Sequence, residues 1–114
     1  MDSKQIVIAG GGIAGLAAAL GVARSGSAAL ILEKSADFRE VGAAVQVGPN
    51  AVRALQSLGA WEAVEPATSQ PEAIHIRDAR SGALLQQVDL GADFRQRFGA
   101  PYRVILRADL QAAL

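Results

Sequence analysis

The 114-residue sequence predicts an α/β fold that opens on a parallel βαβ unit and carries an inserted antiparallel hairpin. Three observations predict it. Two short, unbroken apolar runs, Ile6–Ala9 and Ala29–Leu32, have the pattern of strands buried on both faces of a parallel sheet. Between them lies a glycine cluster followed by apolar residues at helical spacing. Further on, Ala73–Ala79 and Leu84–Leu90 alternate apolar and polar positions around Arg80-Ser81-Gly82, the pattern of a hairpin.

The first strand spans Gln5–Ala9 and ends at once in glycines. Ile13, Leu16, Ala17, Leu20 and Ala23 then define one face of a helix of about 12 residues, with Gly26 placed to terminate it. The second strand follows and stops at Glu33, completing a βαβ unit whose crossover is expected to be right-handed. Residues 34–48 have scattered charges and no sustained period, which predicts a loop across the sheet edge. Pro49 to Gly59 reads as a helix with proline in its first turn and glycine after its last. Trp61 and Val64 are expected to pack beneath it, and Pro66–Pro71 to connect it to the hairpin. A short helix at Ala92–Phe98, a strand at Tyr102–Leu106 and a helix from Arg107 to Leu114 complete the order. The last helical register runs to Leu114 without a capping residue, so the sequence predicts a C-terminally incomplete domain.

Composition narrows the chemistry. Eleven basic residues balance eleven acidic ones, which gives no net field for nucleic acid or an anionic membrane and favours a small-molecule ligand. The lack of cysteine excludes disulfides, thiol catalysis and cysteine-ligated metals, and fits a cytoplasmic location. With His75 as the sole histidine, neither a histidine-based triad nor an ordinary zinc site can be built, and no metal site is expected. His75 fits a half-exposed strand position and Trp61 a packing one. No run approaches the roughly 20 apolar residues of a membrane span.

Gly10-Gly11-Gly12-Ile13-Ala14-Gly15 satisfies G-x-G-x-x-G between a predicted strand and helix, the context that gives this pattern meaning. Gly10 permits the tight turn, Gly12 lets backbone approach a pyrophosphate, and Gly15 lets helix and strand pack closely. The pyrophosphate then meets free N–H groups at the positive end of the helix dipole. Ala19 and Gly26 extend the small-residue spacing, and Glu33 ends the second strand where a carboxylate can accept hydrogen bonds from ribose hydroxyls. A carboxylate there repels a 2′-phosphate, so the Rossmann-like unit favours FAD or NAD over NADP. Among Lys34, Asp37, Arg39 and Glu40, a solvated loop in the main, Arg39 is the candidate to reach a phosphate or ribose.

Three blocks, Gly10–Gly15 with Leu16 and Glu33, Glu40–Ala51, and Leu106-Arg107-Ala108-Asp109-Leu110, resemble the N-terminal part of single-component FAD-dependent aromatic hydroxylases. The likeness covers the whole chain and is strongest to the salicylate hydroxylase and 6-hydroxynicotinate monooxygenase branch. It implies an FAD-binding domain of the glutathione-reductase-like flavoprotein type over residues 1–114, with the 73–90 hairpin in a substrate-side β layer. Such enzymes reduce FAD with NAD(P)H and use O₂ to hydroxylate a small aromatic or heterocyclic acid.

The resemblance also implies residue roles. Gly10, Gly12, Ala14 and Gly15 would cradle the FAD pyrophosphate, Glu33 with Lys34 beside it would hold the ribose, and Arg107 would contact the phosphate–ribitol region. Gln46 and Val47 would line the flavin–substrate boundary. Some relatives carry histidine where Gln46 stands, and glutamine takes no proton at neutral pH, so no catalytic base is expected here. The chain also departs from the family at Leu106, where histidine is common. The family's later Asp-Gly and Gly-Asp-Ala blocks would fall beyond residue 114, which predicts that the 114 residues alone do not catalyse. Two alternatives remain: the nucleotide-binding domain of an NAD-dependent dehydrogenase, and a non-catalytic remnant that keeps the nucleotide-binding turn.

Overall fold

The computed structural model describes residues 4–37 and 42–114. Strand β1 (Gln5–Ala9), helix α1 (Ile13–Arg24) and strand β2 (Ala28–Leu32) form the expected unit, with β1 and β2 parallel and Val7 opposite Leu30. Helix α1 ends where the sequence places its stop. Gly26 adopts a φ of +81°, its N–H donates to the Ala23 carbonyl, and the Ser27 N–H donates to that of Val22. This paired closure satisfies carbonyls that the helix end would otherwise leave open.

Helix α2 (Pro49–Ser57) begins on proline and closes in the same way. Gly59, with φ +71°, donates to the Gln56 carbonyl, and Ala60 donates to that of Leu55. The short helix α3 (Trp61–Val64) follows, then a 3₁₀ turn at Glu65–Ala67. Strands β4 (Ala73–Arg77) and β5 (Leu84–Asp89) form the expected hairpin, with a bulge between Ile76 and Arg77. The Asp78 carboxylate organises its turn by accepting from the N–H groups of Arg80 and Ser81 and from the Ser81 hydroxyl. Helix α4 (Ala92–Phe98), strand β6 (Arg103–Leu106) and helix α5 (Arg107–Ala113) complete the described chain.

Two expectations are corrected. The segment read as a loop contains a further strand, β3 (Ala44–Val47), which pairs antiparallel with β6 so that Gln46 faces Val104. Its four residues are too few to show a period, and its hydrogen-bond partner lies far along the chain. The second correction concerns β1 and β2, which are not covered on both faces: Val7 is 58 % and Leu32 56 % exposed. Each of the three sheets has only two strands, and among the described residues α1 is the element that packs against β1 and β2, so the apolar runs that predicted burial on both faces are not enclosed.

The core sits elsewhere, where α2, α3, β3, β6 and α5 meet. Val47, Val52, Leu55, Ala60, Trp61, Val64, Ala100, Ile105 and Leu110 form it, and Ile13 and Leu20 dock α1 against it. The Gly-rich turn is thereby anchored to the packed part of the molecule through α1.

Candidate nucleotide-binding site

The turn between β1 and α1 is fixed by its own backbone. Gly10 has a φ of +106°, which L side chains rarely adopt, and its N–H donates to the Leu32 carbonyl at 2.7 Å, closing the turn onto the end of β2. Gly12 is the N-cap of α1 at φ −71°, ψ −179°, an extended conformation open to any residue, and its carbonyl accepts from the Leu16 N–H. A Cβ on Gly15 would lie 1.9 Å from the Gly10 carbonyl oxygen and 3.5 Å from Ile8 Cγ2. Two of the three glycine tasks are therefore steric or conformational demands of the fold, while the backbone conformation of Gly12 makes no demand for glycine. The first-turn N–H groups of α1 have no intrahelical carbonyl partners and lie at the positive end of the helix dipole, so the turn can receive an anion.

Glu33 follows β2 and reaches back to this turn. Its Oε2 accepts from the Gly11 N–H at 2.5 Å, and its Oε1 accepts from the Ser35 N–H at 2.9 Å. These backbone donors, that of Ser35 first and that of Gly11 next, hold its pKa below the ordinary 4.5, against a smaller upward push from desolvation. Glu33 is thus ionised at neutral pH, and its two oxygens keep acceptor capacity for further donors. Lys34, next in the chain, is exposed.

Helix α5 approaches the turn from the other side. Gln111, buried at 8 % exposure, donates from Nε2 to the Gly11 carbonyl at 3.0 Å. The Gly11 residue, itself buried, is therefore held at both its N–H and its carbonyl. Nothing in the sequence singled out Gln111, because the contact spans 100 residues and no local motif encodes it. Arg107 lies one helical turn before Gln111, on the same face of α5. Its N–H donates to the Ala43 carbonyl, and its Cδ lies 4.0 Å from where a Cβ on Gly42 would stand.

The structure brings Gly10, Gly12, Gly15 and Glu33 together, with Ala14 exposed in the first turn of α1. Gln46 and Val47 are on β3, away from the turn's hydrogen bonds. Gln46 is exposed, whereas the Val47 side chain is 2 % exposed within the core, so only its backbone remains for ligand contact. His75 is exposed on β4 and Trp61 is buried, as expected of both. Arg39 and Glu40 lie outside the described residues. No helix among the described residues is long and apolar enough to cross a membrane.

Known proteins resemble this chain in sequence and fold along its length. The chain is 41 % identical over 109 residues to the 3-hydroxybenzoate 6-hydroxylase of Polaromonas naphthalenivorans (strain CJ2), covering 96 % of this chain and 27 % of that enzyme. It is 31 % identical over 113 residues to the 6-hydroxynicotinate 3-monooxygenase of Pseudomonas fluorescens, covering 99 % and 29 % respectively. Among solved structures, 2-methyl-3-hydroxypyridine-5-carboxylic acid oxygenase superposes with a TM-score of 0.83 at 26 % identity over 99 % of this chain and 28 % of that one. Klebsiella pneumoniae HpxO, solved with FAD and uric acid, superposes with a TM-score of 0.79 at 32 % identity over 95 % and 27 %. The chain thus spans between a quarter and a third of the length of these relatives. The FAD binding domain family model matches residues 3–106. With this match spanning most of its length, the chain belongs to the FAD binding domain family.

Proposed function

We propose that this chain supplies the ADP-binding part of an FAD-dependent monooxygenase of the aromatic-hydroxylase type, which uses NAD(P)H and O₂ on a small aromatic or heterocyclic acid. The observation that carries the reading is the hydrogen bond from Gly11 to Glu33, which ties a ribose acceptor directly to a pyrophosphate turn. The donor set fits the ADP half of FAD: open N–H groups and a helix dipole for the diphosphate, and an ionised carboxylate for the ribose hydroxyls.

When bound, FAD supplies the electron transfer and oxygen chemistry, and the protein's part is to hold it. Gly10 sets the turn, Gly15 admits the helix, and Gly12 and Ala14 present N–H groups to the diphosphate. Glu33 accepts from the ribose while Lys34 adds a positive charge nearby. Arg107, on the same face of α5 as Gln111, is placed to neutralise phosphate charge toward the ribitol. Gln46 orients ligand by hydrogen bonding and moves no proton, and Val47 contributes its backbone at the flavin–substrate boundary. The 73–90 hairpin belongs to the substrate-side layer, a reading supported by its separate ladder and its exposed Ile76 and Leu85. The acid substrates are proposed from the relatives' names, 3-hydroxybenzoate and 6-hydroxynicotinate.

Competitive titration with FAD and NAD tests the reading. Saturable FAD binding, with flavin fluorescence altered on binding and NAD unable to compete, is expected. Selective binding of NAD would overturn it in favour of a dehydrogenase, and FAD binding together with FAD-, NADH- and 3-hydroxybenzoate-dependent oxygen uptake by the full-length protein would extend it to the reaction.

A further inference from the structure

We infer that Gln111 is a positioning residue for the diphosphate: by holding the Gly11 carbonyl it turns the Gly12 N–H toward the ligand. The inference rests on the cofactor reading above. The Gly11–Gly12 peptide is trans, as are all those described, and in a planar trans peptide the carbonyl and the N–H point in opposite directions. With the Gly11 carbonyl directed to Gln111 Nε2 at 3.0 Å, the Gly12 N–H faces away from α5. The preceding peptide plane is fixed independently, because the Gly11 N–H donates to Glu33. Both peptide planes of the turn are therefore set before any ligand arrives, one by Glu33 and the other by Gln111.

Glycine makes this clamp necessary. Without a Cβ, Gly11 and Gly12 have broad backbone freedom, and a peptide plane between two glycines flips at low steric cost. A flip would swing the Gly11 carbonyl oxygen to where the Gly12 N–H stands, placing a partial negative charge against a diphosphate. The neighbouring Leu110 fills the core, but Gln111 is buried with a polar head that an apolar side chain of equal length would replace without desolvation cost. Its amide donates to the one carbonyl whose direction sets the Gly12 N–H.

Gln111→Met and Gln111→Glu distinguish positioning from simple tethering. Both keep the length, but Met cannot donate, and Glu donates only when protonated. Each protein is checked for folding by thermal melting and then titrated with ADP across pH 5 to 8. We expect Gln111→Met to bind ADP roughly 10-fold more weakly at every pH, the effect of leaving a buried carbonyl unpaired and mobile. Gln111→Glu is expected to be weak at pH 8 and to recover toward the wild type as pH falls, since a buried carboxyl near Glu33 has a raised pKa. A lower melting temperature with unchanged ADP affinity in folded Gln111→Met would overturn the inference and leave a structural tether. An affinity ratio of Gln111→Glu to wild type that does not change with pH would also overturn it. A folded wild-type chain that binds no ADP would overturn the cofactor reading itself, a separate outcome from either.

Discussion

Gly12 and Gly15 look alike in the sequence and behave differently in the structure. Gly15 has the Gly10 carbonyl where its Cβ would be, so Gly15→Ala must push α1 off β1. We predict that this variant loses about 1–3 kcal/mol of stability as an overpacked site does, together with ADP affinity, measurable by denaturant unfolding and calorimetry. Gly12 occupies an ordinary extended conformation, and Gly12→Val should cost about 1 kcal/mol as a poorer N-cap while placing methyl groups in the diphosphate's path. Glu33 gives a prediction in pH. Its folded pKa is depressed, so its stabilising contribution is complete above the ordinary value of 4.5 and is lost as pH falls through the lower folded value. Carboxyl NMR titration should find a Glu33 midpoint below 4.5; a midpoint above it would contradict the hydrogen bonds to Ser35 and Gly11. At this scale the glycine spacing and Glu33 are legible in sequence because one continuous βαβ unit holds them. Gln111 is not, since only the folded chain brings α5 to the turn.

At the scale of elements, helices and their ends follow the sequence closely. The αL glycines Gly26 and Gly59 stop α1 and α2 through local hydrogen bonds that need no tertiary partner. The hairpin is equally local, its turn held by Asp78. Strand β3 is different: its short alternation acquires meaning only when β6 lies beside it, with Val45 opposite Ile105 and Val47 opposite Arg103. The apolar texture of β1 and β2 marks them as strands, but burial depends on what packs over them. Two single substitutions separate packed from unpacked elements. Val52, with 0 % exposure in α2, should lose about 1–3 kcal/mol on truncation to Ala, whereas Ile76→Ala in the exposed hairpin should stay within about 0.5 kcal/mol, both read by denaturant unfolding. Equal losses would show that the hairpin packs against apolar surface within this chain.

The whole molecule is extended for its length. Its radius of gyration is 17.6 Å against about 13 Å for a compact domain of this size, and its extents are 63 × 32 × 20 Å. It exposes 7894 Å² where a folded monomer of 11.7 kDa exposes about 5,900 Å². The difference, roughly 2,000 Å², is the size of a large protein interface. Leu85 at 66 % exposure, with Val7 and Leu32, contributes apolar surface to it. We predict concentration-dependent self-association of the isolated chain, reduced in a Val7→Lys, Leu85→Lys double variant, by sedimentation velocity; a strict monomer at every concentration would contradict this. The sequence predicts an incomplete domain but not the extended shape or which faces stay open, since local patterns specify elements and leave the covering layers unspecified.

The most direct test of the ADP-binding claim is calorimetric titration of the chain with ADP, with Gly12→Val beside it. The account predicts saturable binding to the wild type and its loss in a Gly12→Val protein that still melts cooperatively. Equal ADP affinity in the two proteins would contradict it, because the diphosphate would then lie somewhere other than the Gly10–Gly15 turn.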